Sequence, residues 1–208
     1  MHIVVLGDEK AKKEWPQSNE VLSISWVTDL HSFKNFTPDA FFDLGFTAGN
    51  DRVNFLKTLK TPVIVNSVTE TLNTIQAPFI RINAWAGFFK REIVEACTLD
   101  DSLKEKIEPI FTALNKKIKW LPDTVGFITP RIIAMIINEA YHALGDGVST
   151  KEEIDTAMKL GTNYPYGPFE WASLIGLRNI ELLLNNLGTI NQKYFPATAL
   201  INETKEWP

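Results

Sequence analysis

The side chains that could move a proton are few and scattered. Three histidines occur, His2, His31 and His142. Histidine is the side chain that most readily exchanges a proton near neutral pH. His2 falls in a β-branched run, His31 in a loop, and His142 near the end of a long helical pattern, where the helix dipole favours its cation. No run of His, Cys, Asp or Glu has metal-ligand spacing, so no metal is expected, and no Ser-His-Asp arrangement can be read. The run His2 to Leu6 closes at Gly7. A dinucleotide-binding unit places a glycine-rich turn there, so that backbone can approach a diphosphate. This chain instead continues Asp8-Glu9-Lys10-Ala11-Lys12-Lys13. One glycine is kept, and two carboxylates stand where phosphates would lie. The turn reads as a plain strand-to-helix connection rather than an ordinary NAD site.

Positioning these residues requires two kinds of structure. Val21 to Val27, Ala40 to Leu44, Pro62 to Val65, Phe79 to Ile82 and Ile118 to Leu121 read as strands after the first. Asp51 to Leu59 and Leu103 to Leu114 have helical spacing, and Pro109 should bend or shift the second. Strands alternating with helices predict a parallel sheet covered on both faces. The fold class is therefore a Rossmann-like α/β domain, residues 1–122, whose first helix is squeezed between Gly7 and Val21. The remainder, residues 123–208, reads as all helix. Ile132, Ile133, Ile136, Ile137, Ala140 and Leu144 have the 3.6-residue period. Thr129 is the expected N-cap and Pro130 the first helical residue. Gly145-Asp146-Gly147 should end that helix. Ser149 with Glu152, or Thr150 with Glu153, has capping-box spacing for a second helix that Gly161 should stop. Tyr164-Pro165-Tyr166-Gly167-Pro168 is a loop, and Pro168 opens a third helix. Asn179 to Leu187 is a fourth, and Pro196 opens a last one.

The order of residues in this second half resembles the C-terminal domain of the 3-hydroxyacyl-CoA dehydrogenases. The chain has Asp123-Thr124-Val125-Gly126-Phe127, Arg131 and Asn138-Glu139-Ala140. It continues with Ile154-Asp155-Thr156-Ala157-Met158-Lys159-Leu160-Gly161, Pro165-Tyr166-Gly167-Pro168-Phe169-Glu170 and Gly176-Leu177. So many matches in sequence make the resemblance specific. It implies an NAD cofactor, an acyl-CoA-like ligand and a homodimer through the helical domain. It also implies a site in which a histidine base is oriented by a glutamate. Ile93-Val94-Glu95 matches the glutamate segment, and twelve residues earlier the histidine position is Asn83. Asn66-Ser67-Val68-Thr69 places Val68 at the family serine, with Thr69 beside it, and Pro130 replaces the family asparagine before Arg131. An amide cannot take a proton near pH 7. Glu95 is thus the retained catalytic-type residue, Asn83 and Thr69 stand at or beside lost ones, and Gly7 is the one cofactor-type glycine kept.

Composition narrows the rest. Net charge is −4 over 208 residues, with both signs interspersed, which argues against a nucleic-acid partner or an anionic membrane surface. The single cysteine, Cys97, leaves no internal disulfide and suits a reducing cytoplasm. No signal peptide and no bilayer-spanning run is read. Trp26 and Trp85 are read as lining the place a cofactor would take, or as core. The expected function is a family member degenerate in NAD binding and catalysis that acts as a binding or oligomeric protein. The alternative is an active NAD-dependent 3-hydroxyacyl-CoA, or related hydroxyacid, dehydrogenase in fatty-acid metabolism.

Overall fold

The computed structural model describes residues 1–206. Two compact units divide the chain, Met1–Phe127 and the residues from Ile128 onward.

The first unit runs β1 (His2–Leu6), α1 (Glu9–Glu14), β2 (Ser23–Val27), a 3-10 turn at Leu30–Asn35, β3 (Ala40–Asp43) and α2 (Asn50–Leu56). It continues with β4 (Val63–Asn66), α3 (Leu72–Ile75), β5 (Ile80–Ile82), β6 (Ile93–Cys97), α4 (Ser102–Ala113) and β7 (Lys117–Trp120). The seven strands form one sheet in the order β2-β1-β3-β4-β5-β6-β7. All neighbours are parallel except β5 and β6, which pair antiparallel through Arg81–Cys97 and Ile82–Ala96. The sheet is therefore mostly, not wholly, parallel. Helices on its faces demand strands apolar on both sides, and all four residues of β3 are buried. Ile3, Phe42, Ile64, Ile80 and Val94 from the strands meet Ile107 and Phe111 of α4 in one core.

Sequence periodicity missed β6, because a glutamate in its centre breaks the apolar pattern. Glu95 lies mid-strand. Pro109 lies inside α4 without dividing it.

The second unit is helical: α5 (Thr129–Gly145), α6 (Lys151–Thr162), α7 (Pro168–Ile175), α8 (Leu177–Gly188), a 3-10 turn at Gln192–Tyr194 and α9 (Thr198–Glu206). Thr129 is the first residue of α5 rather than its cap, which is Ile128. Of the two capping boxes, Thr150 with Glu153 forms: the Glu153 amide donates to the Thr150 hydroxyl at 3.3 Å. The Ser149 hydroxyl turns onto the same Glu153 carboxylate. Gly161 lies within α6, and Asn163, at φ 55°, takes the left-handed position that ends it. Among the described residues no helix is long and apolar enough to cross a membrane.

Three side chains knit these helices together. Asp155 of α6 is buried and accepts from the Phe169 amide (2.8 Å) and the Glu170 amide (3.1 Å) at the start of α7. Glu170 turns back to accept from the Gly167 amide at 2.9 Å. Asn138 of α5 donates to the Phe195 carbonyl (3.0 Å) and accepts from the Ala197 amide (2.8 Å), fixing the approach to α9. Each satisfies backbone groups that a helix end or turn leaves without partners.

Tyr141 of α5 packs edge-on to Phe169, 4.9 Å between centroids. Burial first, then the Glu203 and Asp155 carboxylates, push its phenol well above the ordinary tyrosine value. A raised folded-state pKa means stability that is whole below the unfolded value and lost as pH climbs past it. Alkaline titration is expected to leave Tyr141 protonated beyond about pH 10 until the helical unit itself unfolds. Ultraviolet tyrosinate absorbance recorded beside far-ultraviolet circular dichroism checks this. Full tyrosinate absorbance with intact helix would contradict it.

Candidate active site

In an open α/β sheet ligands bind outside the carboxyl ends of the strands, where strand order reverses. Here that point lies between β1 and β3. Its first wall is the turn after β1. Asp8 is the N-cap of α1, and its carboxylate accepts from the Ala11 amide at 2.7 Å. An anion arriving here meets the Asp8 charge, with Glu9 next in the chain, and an amide already engaged. α1 is six residues long, too short to sum much of a dipole. A Cβ on Gly7 would lie 3.0 Å from the Trp26 ring, 3.3 Å from Leu44 and 3.4 Å from Ala11. Side chains therefore stand beside Gly7, where a glycine-rich turn leaves bare backbone. The turn does not fit a dinucleotide diphosphate. Trp15 seals the far side, stacked on Phe89 at 3.9 Å and edge-on to Trp26 at 6.0 Å. Trp26 thus does line this place, half-buried, whereas Trp85 is buried at 7% exposure.

The carboxyl ends of β3, β4 and β5 carry three polar side chains, Asp43, Asn66 and Asn83, each held internally, the last by Glu95 of β6. Asp43, wholly buried, accepts from Arg52 Nε at 2.7 Å and Nη2 at 2.5 Å. Burial pushes the Asp43 carboxyl up from its ordinary value, and the Arg52 guanidinium opposes that. Asn66 donates to the Leu44 carbonyl (3.2 Å) and accepts from the Ala84 amide (2.9 Å), a tie spanning the ends of three strands. Asn83 Nδ2 donates to Glu95 Oε2 at 3.1 Å, and the Asn83 amide donates to the Glu95 carbonyl at 3.0 Å. Both side chains are more than nine-tenths buried. The antiparallel β5–β6 register therefore brings Asn83 and Glu95 together. Thr69 lies apart from them in sequence, on the loop between β4 and α3, and Gly7 sits at the end of β1 among Trp26, Leu44 and Ala11. Among the described residues no group of three or more His, Cys, Asp or Glu could hold a metal ion. His2 is engaged with the Ser25 hydroxyl at 2.9 Å.

A second polar centre was not legible in the sequence. Arg81 of β5 is wholly buried. It donates through Nη1 to the carbonyls of Ser67 (3.2 Å) and Glu70 (2.6 Å), and through Nη2 to the Thr124 carbonyl. Its Nε lies 3.0 Å from Asp123 Oδ1, an ion contact without the alignment of a directed hydrogen bond. The guanidinium is 4.3 Å from the Phe127 ring centroid. Burial draws Arg81 below its usual value, and Asp123 opposes it. Asp123 also accepts from the amides of Leu72 and Asn73 at 2.9 Å each. Gly126, at φ 84°, donates to the Val68 carbonyl at 2.9 Å, and Phe127 follows at φ 48°. The segment Asp123–Phe127 is thus a clasp on the loop after β4. A spacing rule can flag Asp123 but cannot pair it with an arginine forty-two positions earlier.

Comparison with known proteins agrees with this architecture. Residues 126–206 match the family 3-hydroxyacyl-CoA dehydrogenase, C-terminal domain. The 3-hydroxyadipyl-CoA dehydrogenase of Escherichia coli K12 is 42% identical over 110 residues, 53% of this chain and 23% of that protein. A 3-hydroxybutyryl-CoA dehydrogenase of Clostridioides difficile is 35% identical over 129 residues, 59% of this chain and 46% of that protein. These matches span less than half the length of the curated relatives. The crystal structure of (S)-3-hydroxybutyryl-CoA dehydrogenase from Ralstonia eutropha superposes with a TM-score of 0.71 at 25% identity, over 88% of this chain and 70% of that one. Residues 126–206 thus match the C-terminal domain of the 3-hydroxyacyl-CoA dehydrogenases, and the chain as a whole is similar in fold to a member of that family.

Proposed function

We propose that this chain is a family member without dehydrogenase chemistry, a binding or oligomeric protein built on the dehydrogenase fold. The observation that carries the reading is the Asn83–Glu95 contact. At the position the resemblance gives to the base, an amide donates to the glutamate at 3.1 Å. Base catalysis needs a group that accepts a proton in the transition state, and an amide does not. Glu95 then has a structural partner and nothing to orient. The Asp8 cap supports the same reading for the cofactor. NAD is what the resemblance implies, and the carboxylate at the tip of β1 repels its diphosphate. The ligand this reading leaves is an acyl-CoA-like small molecule held without turnover, or a second copy of the chain.

Incubation with acetoacetyl-CoA and NADH tests the proposal. No NADH oxidation above the uncatalysed rate is expected, and the single substitution Asn83→His is expected to restore none, because the phosphate turn stays unfit. Steady oxidation at an ordinary enzymatic rate by the unaltered chain would reject the reading in favour of an active dehydrogenase. The substitution Glu95→Gln would then ask whether Glu95 carries that activity.

A further inference from the structure

The opposite edge of the same sheet carries a second feature. At the amino ends of β4 and β5, beside Pro62 and Phe79, lies a hollow of about 210 Å³. Lys57 at the end of α2, Lys60, and Lys106 of α4 stand on its wall, against one carboxylate, Asp100. These three make no ion pair among the described residues. Three cations against one anion is a local reversal in a chain of net charge −4. Pro78 and Asp100 are shared with a longer, open groove of about 500 Å³, whose walls include Leu72, Ala77 and Leu99. Leu99 is 61% exposed.

We propose that this double hollow binds a small amphiphilic anion, its charged head among Lys57, Lys60 and Lys106 and its apolar tail along Pro78 and Leu99. The head would accept from the lysine ammonium groups. Charged acceptors make the stronger hydrogen bonds, and the tail covers the exposed faces of Pro78 and Leu99, now left to water. The smaller hollow has room for about seven waters' worth of volume, enough for a carboxylate or phosphate head. The site lies at the amino ends of the strands, so it is separate from the crevice at the carboxyl ends, and it stands or falls independently of the proposed loss of catalysis.

The test titrates the full, isotope-labelled chain with octyl phosphate below its micelle concentration and follows amide shifts. Saturable shifts are expected at residues 57–63, 78–79 and 99–106. The triple substitution Lys57→Gln, Lys60→Gln, Lys106→Gln should weaken binding about tenfold or more, as should added salt. Inorganic phosphate and octanol, each half of the probe, should both bind more weakly. The three lysines are exposed, so an unchanged melting temperature should certify the fold. Octanol binding as tightly as octyl phosphate would overturn the proposal. So would equal binding by inorganic phosphate, undiminished binding by the triple variant, or shifts confined to the crevice around Gly7 and Asn83.

Discussion

Replacing Asp123 with alanine is expected to destabilise the first unit by about 3–5 kcal/mol, the usual consequence of stranding a buried charge. Arg81 is wholly buried, and the Asp123 carboxylate is what faces it. Removing that carboxylate leaves a guanidinium in the core with three carbonyls and an aromatic face, which cannot neutralise it. The same change frees two amides at the start of α3, each an orphaned donor if water cannot reach it. Equilibrium urea denaturation followed by tryptophan fluorescence measures the loss. Arg81→Met with Asp123→Leu should cost less than the sum of the single changes, because no lone charge remains. A single Asp123→Ala variant as stable as the original chain would mean that the clasp carries no energy.

Gly167→Ala is expected to cost the helical unit about 2–4 kcal/mol, from overpacking plus a lost cap. Backbone strain plays no part, since Gly167 sits at φ −74°, open to any residue. The cause is space: an added Cβ would lie 2.3–2.4 Å from the Asp155 side chain. That side chain holds the first amides of α7, so moving it aside undoes the cap. Gly161→Ala makes the contrasting case. Nothing lies within 4 Å of a Cβ there, and the position is helical and exposed. It should gain roughly 0.5–1 kcal/mol from backbone entropy alone. Thermal melts of the two variants should move in opposite directions. A neutral Gly167→Ala would show that Asp155 has room the geometry denies.

These two cases give a physical reason for several of the motif residues the chain has kept. Asp123, Gly126, Phe127, Asn138, Asp155, Gly167 and Glu170 all hold helix ends, turns or a buried arginine. The residues replaced, at Val68, Asn83 and Pro130, are those to which the resemblance assigns substrate chemistry. A fold clasp is under constraint whether or not catalysis continues. A catalytic base is not.

The sequence by itself determined most of the element types, though not β6 or α3, and the helical half. Apolar periodicity, a proline at a helix start and a Thr-x-x-Glu box are local signals, and local signals survive without knowing what they pack against. It also determined that Asn83 and Glu95 are an amide and a carboxylate, and hence which proton transfers are denied. Only the tertiary structure decided that β5 and β6 run antiparallel and so place those two side chains in contact. It alone paired Arg81 with Asp123 and brought Trp26 and Leu44 against Gly7. Such contacts join residues tens of positions apart, and strand order and register set them. No spacing along the chain encodes which strand lies beside which.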